Sequence, residues 1–154
     1  MFASALEEPK LEPASTAKPD RILIIDDDEA LADVLSRRLQ QQGFEAFAAD
    51  CGRDGLAKAR SDHPALIVLD LRLPDLDGFT ICERLVDSPD TCAIPVIILS
   101  GMERPDILRR SRAAGCHYFV RKPYDPNALL TLIRQAIRES DDWQEGNDEA
   151  RMTG

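Results

Sequence analysis

Five short apolar runs alternate with five stretches of helical periodicity, and this alternation limits the chain to very few folds. The runs are Arg21 to Ile25, Phe44 to Ala49, Ala65 to Leu69, Val96 to Leu99 and His117 to Val120. Continuous apolar runs of this length, bounded by turn residues, read as buried strands. Between them, Leu31, Val34, Leu35 and Leu39 recur with the spacing of an amphipathic helix, which Gly43 stops. Asp50 is placed as the N-cap of a second helix through Arg60. Phe79, Cys82 and Leu85 or Val86 mark the inner face of a third helix, after Asp77-Gly78. A fourth helix is expected from about Pro105 to Ala114, ended by Gly115. Asp125-Pro126 opens a fifth, with Leu129, Leu130, Ile133, Ala136 and Ile137 on one face. Repeated strand–helix units imply an α/β fold, a doubly wound parallel sheet with helices on both faces.

The ends of the strands carry the chemistry. Strand one ends in Asp26 and Asp27, strand three in Asp70, strand four in Ser100 and strand five in Lys122. Strand two ends only in small residues. A five-stranded sheet ordered 2-1-3-4-5 makes the four equipped strands neighbours and leaves the bare one at an edge. Open α/β sheets bind their ligands at the carboxyl ends of the strands. Carboxylates gathered there repel one another, and a hard divalent cation relieves the repulsion. A carboxylate is also a nucleophile toward phosphorus. Lys122 supplies a cation and Ser100 a hydroxyl for the charge that develops. Taken singly, each group has a plainer reading: Asp26-Asp27-Asp28 as a capping loop, Lys122 as a solvated lysine, Ser100 as a turn residue, Phe119 as core. Asp75 and Asp77 read as turn and cap residues. The shared position at strand exits is what favours a phosphoryl-acceptor site.

Four segments then carry a resemblance. Ile22-Leu23-Ile24-Ile25-Asp26-Asp27-Asp28, Leu69-Asp70 with Leu73-Pro74-Asp75-Leu76-Asp77-Gly78, Ile97-Ile98-Leu99-Ser100-Gly101 and Val120-Arg121-Lys122-Pro123 resemble the receiver (response regulator) domain of bacterial two-component signal transduction systems. The match spans residues 21–138, in order and at the right spacing. It implies a flavodoxin-like sheet and assigns Asp70 as the residue phosphorylated by a sensor histidine kinase or histidine phosphotransfer protein. Mg²⁺ would be held by Asp27 directly, by Asp26 through a water, by Asp70 and by the Arg72 carbonyl. Ser100 and Lys122 would bind the phosphoryl oxygens. Ser100 and Phe119 would form the switch, read out on the face of the fourth helix, fifth strand and fifth helix. The resemblance also implies a cis Lys122-Pro123 bond, where sequence alone favours trans. Phe119 stands where Tyr is frequent, Tyr118 where an acid is frequent, and Arg72 lies two residues past the acceptor.

Residues 1–20 are expected to be a disordered leader, 21–138 the receiver domain, and 139–154 an acidic, disordered tail. The two tails hold -7 of the formal net charge of -9, so the acidity describes solvated ends rather than a binding face. With no clustered basic face, direct nucleic-acid binding is not expected. Arg104, Arg109, Arg110 and Arg112 offer at most a modest basic surface near Arg121. Four cysteines without a CxxC pair, and two histidines, argue against zinc. No signal peptide or membrane span is legible, which places the chain in the cytoplasm. No effector domain fits in the residues after Arg138, so output is expected through a separate downstream protein unless the sequence is a fragment. The competing readings are a haloacid-dehalogenase-like phosphatase with Asp26 as nucleophile, and a receiver fold used only as a scaffold. Ala30 in place of Thr or Val, and Ser100-Gly101 in place of acids, weigh against the phosphatase.

Overall fold

The structure is a computed structural model that describes residues 18–101, 106–116 and 118–153, with side chains to Trp143. Strands β1 (Arg21–Ile25), β2 (Glu45–Ala49), β3 (Leu66–Asp70), β4 (Val96–Ser100) and β5 (Tyr118–Arg121) alternate with five helices. These are α1 (Glu29–Gln41), α2 (Gly52–Asp62), α3 (Gly78–Asp87), α4 (Ile107–Ala113) and α5 (Pro126–Thr153). All strand pairings are parallel and the order is β2-β1-β3-β4-β5. The expected doubly wound topology is therefore the observed one.

Period-two alternation along the strands sorts the core into two layers. Leu23, Ile25, Ile67, Leu69 and Ile98 point to one face, where α2, α3 and α4 supply Leu56, Ile81, Leu85 and Ile107. Ile22, Ile24, Leu66, Val68 and Ile97 point to the other, against Leu35 and Leu39 of α1 and Leu129, Ile133 and Ala136 of α5. Burying each of these large aliphatic side chains contributes about 1.5–3 kcal/mol, so both layers hold the sheet in place. Gly78 is needed where α3 begins: a Cβ there would stand 2.6 Å from Leu71 Cα. Gly43 takes φ +91° just beyond α1, the left-handed geometry that ends helices.

Several local expectations change. In α1 the buried stripe is Ala32, Leu35 and Leu39, while Leu31 and Val34 are exposed. The N-cap of α2 is Cys51 rather than Asp50, and its side chain makes no capping bond. Described α4 starts at Ile107; Pro105, Arg104 and His117 lie outside the described residues, as does the leader up to residue 17. Beyond Glu139 the expected disordered tail is instead helix, continuous to Thr153. A helix already nucleated gains a hydrogen bond with each added residue and needs no apolar stripe to continue. Residues 127–154 contain no proline to stop it. Two contacts also fasten the first turn past the apolar stripe: Tyr118 O–H donates to Glu139 Oε2 at 2.5 Å, and Ser140 Oγ donates to the Ala93 carbonyl at 3.2 Å.

Candidate functional site

Sheet register brings the polar strand ends together. Ile25 pairs with Leu69, so Asp26 and Asp70 each follow one residue after that pair. Asp70 pairs with Leu99, and Ser100 with Arg121, so Ser100 and Lys122 come next along the same edge. The Lys122 N–H donates to the Ser100 carbonyl at 2.9 Å, which carries the ladder one step past β5. The Lys122-Pro123 bond is cis.

Lys122 Nζ donates to Asp70 Oδ2 at 3.0 Å and to Asp26 Oδ2 at 3.3 Å. The remaining oxygens are also engaged. Asp26 Oδ1 accepts from the Asp28 N–H at 2.9 Å, and Asp70 Oδ1 from the Arg72 N–H at 3.0 Å. One carboxylate oxygen from each of Asp26, Asp27 and Asp70 lies within 4.8 Å of the others. Asp26 is buried, Asp70 half-buried and Asp27 exposed, so the group opens to solvent on one side.

This crowding shows in the proton affinities. Burial pushes the Asp26 carboxyl above its ordinary range, and the nearby Asp70 adds to the push; the Asp28 N–H and Lys122 oppose it. Burial works to lower the Lys122 ammonium, but its bonds and attraction to Asp70 and Asp26 outweigh that and hold it above its usual value. A protein cation thus bridges two carboxylates, and a third, Asp27, is exposed beside them. Three oxygen donors with one solvent-facing side suit a hard divalent ion that keeps some of its waters.

Of the other residues singled out in the sequence, Ser100 is buried at the end of β4. Phe119 is partly buried against the layer that includes α3 and α4. Arg72 is exposed. The basic surface is smaller than its arginines suggest. Arg110 stacks 4.2 Å above the Phe79 ring and lies 3.8 Å from Asp77, leaving Arg109 and Arg112 exposed on α4.

Two features were not legible beforehand. Asp75 caps α2 from the loop after β3: its Oδ1 accepts from the Gly52 N–H at 2.7 Å and its Oδ2 from the Arg53 N–H at 2.9 Å. These N–H bonds hold its carboxyl below the usual range. They also tie the acceptor loop to a helix more than twenty residues earlier. The second is a largely apolar cavity of about 450 Å³ beside the acceptor, between Leu31 and Leu35 on one side and Pro123 and Tyr124 on the other. It opens onto Asp70 and Lys122. Leu31 was legible as apolar, but its exposure depends on how α1 is rotated.

A parallel sheet ordered 2-1-3-4-5 with three carboxylates and a lysine at its carboxyl edge defines a doubly wound α/β fold with an acidic crevice. Within it, residues 22–134 match the family model of the response regulator receiver domain, and the chain belongs to that family. It is 38% identical over 121 residues to the DNA-binding dual master transcriptional regulator RpaA of Synechocystis, covering 79% of this chain and 50% of that protein. It is 35% identical over 118 residues to the response regulator PleD of Caulobacter vibrioides, covering 77% and 26%. The chain therefore spans half or less of the length of these relatives. Among solved structures, a CheY-like receiver domain protein from Methanospirillum hungatei superposes with a TM-score of 0.76 at 29% identity, covering 80% of this chain and 98% of that one. The chemotaxis response regulator CheY4 of Vibrio cholerae gives 0.72 at 25% identity, covering 77% and 98%. Among the described residues no helix is long and apolar enough to cross a membrane.

Proposed function

We propose that Asp70 accepts a phosphoryl group from a phosphohistidine on a sensor histidine kinase or histidine phosphotransfer protein. The observation that carries this reading is the Asp70 carboxylate held 3.0 Å from Lys122 Nζ inside a three-carboxylate cluster. In the transfer, an Asp70 oxygen forms the new P–O bond as the P–N bond breaks. The electron pair stays on the imidazole nitrogen, which takes up a proton. Lys122, released from Asp70 by the new charge, pairs with a phosphoryl oxygen, and Ser100 donates its hydroxyl to another. Mg²⁺ is the proposed cofactor, held by Asp27, by Asp26 through water, by Asp70 and by the Arg72 carbonyl. When bound, it neutralises charge on the phosphoryl oxygens. The protein is no enzyme toward other substrates in this reading; it promotes only its own phosphorylation and dephosphorylation.

The donor has a place to sit. Leu31, 49% exposed, lines the apolar cavity that opens on Asp70, and Val34, 61% exposed, lies three residues further along α1. A donor protein bringing its histidine to Asp70 covers these side chains. On the other side, phosphate adds about two negative charges and strong acceptors. Movement of Ser100 toward it makes room for Phe119 to turn inward, changing the surface of α4, β5 and α5. An output protein reads that surface, which carries the exposed Leu108, Arg109 and Arg112. A cytoplasmic location agrees with this partner set.

The test is labelling with a small acyl-phosphate donor, with and without Mg²⁺, followed by mass spectrometry of wild type, Asp70→Asn and Asp26→Asn. Mg²⁺-dependent phosphate on Asp70, absent in Asp70→Asn, supports the reading. Label on Asp26 favours the phosphatase chemistry, and no label with no Mg²⁺ binding favours a scaffold. Unchanged amide spectra of α4 and β5 after phosphorylation would remove the switch.

A further inference from the structure

Five large apolar side chains are conspicuously exposed among the described residues: Leu31, Val34, Val86, Leu108 and Trp143. Leu31 lines the cavity beside the acceptor, Val34 follows it on α1, and Leu108 lies on α4. Val86 and Trp143 are at neither place. They border a groove of about 550 Å³ at the opposite, amino-terminal edge of the sheet. Its lining includes Leu85 and Val86 at the end of α3, Ile94 and Pro95 before β4, and Ala136 and Trp143 on α5.

Its walls are built rather than incidental. Thr91 Oγ1 donates to the Leu85 carbonyl at 2.7 Å, closing the end of α3. The bonds of Ser140 to Ala93 and of Tyr118 to Glu139 fix α5 along the other side. The helical continuation past Glu139 is what brings Trp143, 66% exposed, to the groove. Acids adjoin it in sequence. Asp87 and Asp90 follow Val86, and Asp141 and Asp142 precede Trp143; all four are exposed. Among the described residues no cation pairs with any of these four. Asp20, at the start of β1, lies near enough to Asp141 for that carboxylate to add to the rise that burial gives its own carboxyl. An apolar floor with exposed carboxylates next to its lining residues is complementary to a segment with both apolar anchors and positive charge.

We propose that this groove docks a basic amphipathic segment of a partner protein, with its apolar side chains against Val86 and Trp143 and its Lys or Arg residues toward these carboxylates. The groove and Asp70 lie at opposite edges of the sheet. Docking here therefore leaves the acceptor edge uncovered and open to a phosphoryl donor.

Trp143 is the chain's single tryptophan, so its emission reports the groove directly. The probes are a synthetic Leu/Lys peptide of helical amphipathic pattern and its Leu/Glu counterpart. The Leu/Lys peptide is expected to shift Trp143 emission to the blue, saturably and less at high salt, and the Leu/Glu peptide to leave it unchanged. Val86→Asp, at a surface position that keeps the fold by circular dichroism, is expected to weaken binding about tenfold, equivalent to about 1.4 kcal/mol. Joint Asp87→Asn, Asp90→Asn and Asp142→Asn substitution is expected to remove the salt dependence. Leu31→Ser and Leu108→Ser are expected to change nothing, and Asp70→Asn is expected to bind like wild type, which separates this test from that of the acceptor. Equal response to both peptides, or binding indifferent to Val86→Asp, would overturn the proposal. A shift of Trp143 emission with protein concentration alone would overturn it in favour of a second copy of this chain.

Discussion

At the carboxyl edge of the sheet, Lys122 stands between the carboxylates of Asp26 and Asp70. At the amino edge, the turn from α3 to β4 is held by Thr91 bonding a backbone carbonyl and by apolar contacts. The first arrangement places ionised groups where burial opposes their charge; the second satisfies neutral groups with neutral partners. Charged groups in that position are worth retaining only if something binds them, because a buried ion pair contributes little net stability against its desolvation. The turn from α3 to β4 carries no such tension. The contrast suggests that chemistry belongs to one edge and passive recognition to the other, and it can be tested at each.

The largest expected effect is at the carboxyl edge. Lys122→Met leaves Asp26 and Asp70 facing each other without their cation, and is expected to lower stability by about 1.5–3 kcal/mol in urea unfolding without Mg²⁺. Added Mg²⁺ is expected to restore more stability to the variant than it gives wild type. If the variant loses nothing, the two edges do not differ as argued.

Asp26→Asn probes the same edge with opposite sign. Because the folded carboxyl has a raised pKa, the unfolded chain releases its proton first as pH rises. Wild-type stability without Mg²⁺ is therefore expected to fall as pH climbs from the ordinary carboxylate value through the raised one. Asp26→Asn removes that fall and also weakens Mg²⁺ binding. Urea midpoints across acidic pH, with and without the ion, check both.

A smaller effect sharpens the comparison. Thr91→Val breaks a buried bond at the amino edge and is expected to cost about 1 kcal/mol while leaving Mg²⁺ affinity unchanged. Asp75→Ala unfastens the acceptor loop from α2 and is expected to weaken Mg²⁺ binding severalfold in calorimetry, with only a modest fall in melting temperature. Equal Mg²⁺ affinities in the two variants would show that the Asp75 bonds serve α2 alone.

The smallest effect lies where β5 meets α5. Burial, then the bond and charge of Glu139, push the Tyr118 phenol up to about 12. Folded protein thus holds this proton while the unfolded chain has released it, so stability is expected to decline as pH rises from about 10 toward 12. Absorbance titration is expected to show Glu139→Gln lowering the Tyr118 pKa part of the way, since burial remains.

The residues themselves determined a good deal of this protein. Alternation of apolar runs with helical stripes specified five strand–helix units, and parallel sheets of that kind have few topologies. Because strand side chains alternate with period two and neighbours pair in register, the position of Asp26, Asp70, Ser100 and Lys122 at strand exits was enough to predict their gathering. The four motifs together pointed to the receiver family that the family model then matched. Other features were decided only in three dimensions. Asp75 looked like a local turn residue, but its partners are Gly52 and Arg53, far away in sequence. Leu31 and Val34 fitted an apolar stripe, yet packing turned Ala32, Leu35 and Leu39 inward and left those two outside. The residues after Glu139 carry no apolar period, and their helix rests on backbone bonding and on anchors supplied by Tyr118 and Ala93. Local periodicity reports which face of an element is apolar; which face is covered, and by what, depends on elements distant in the chain.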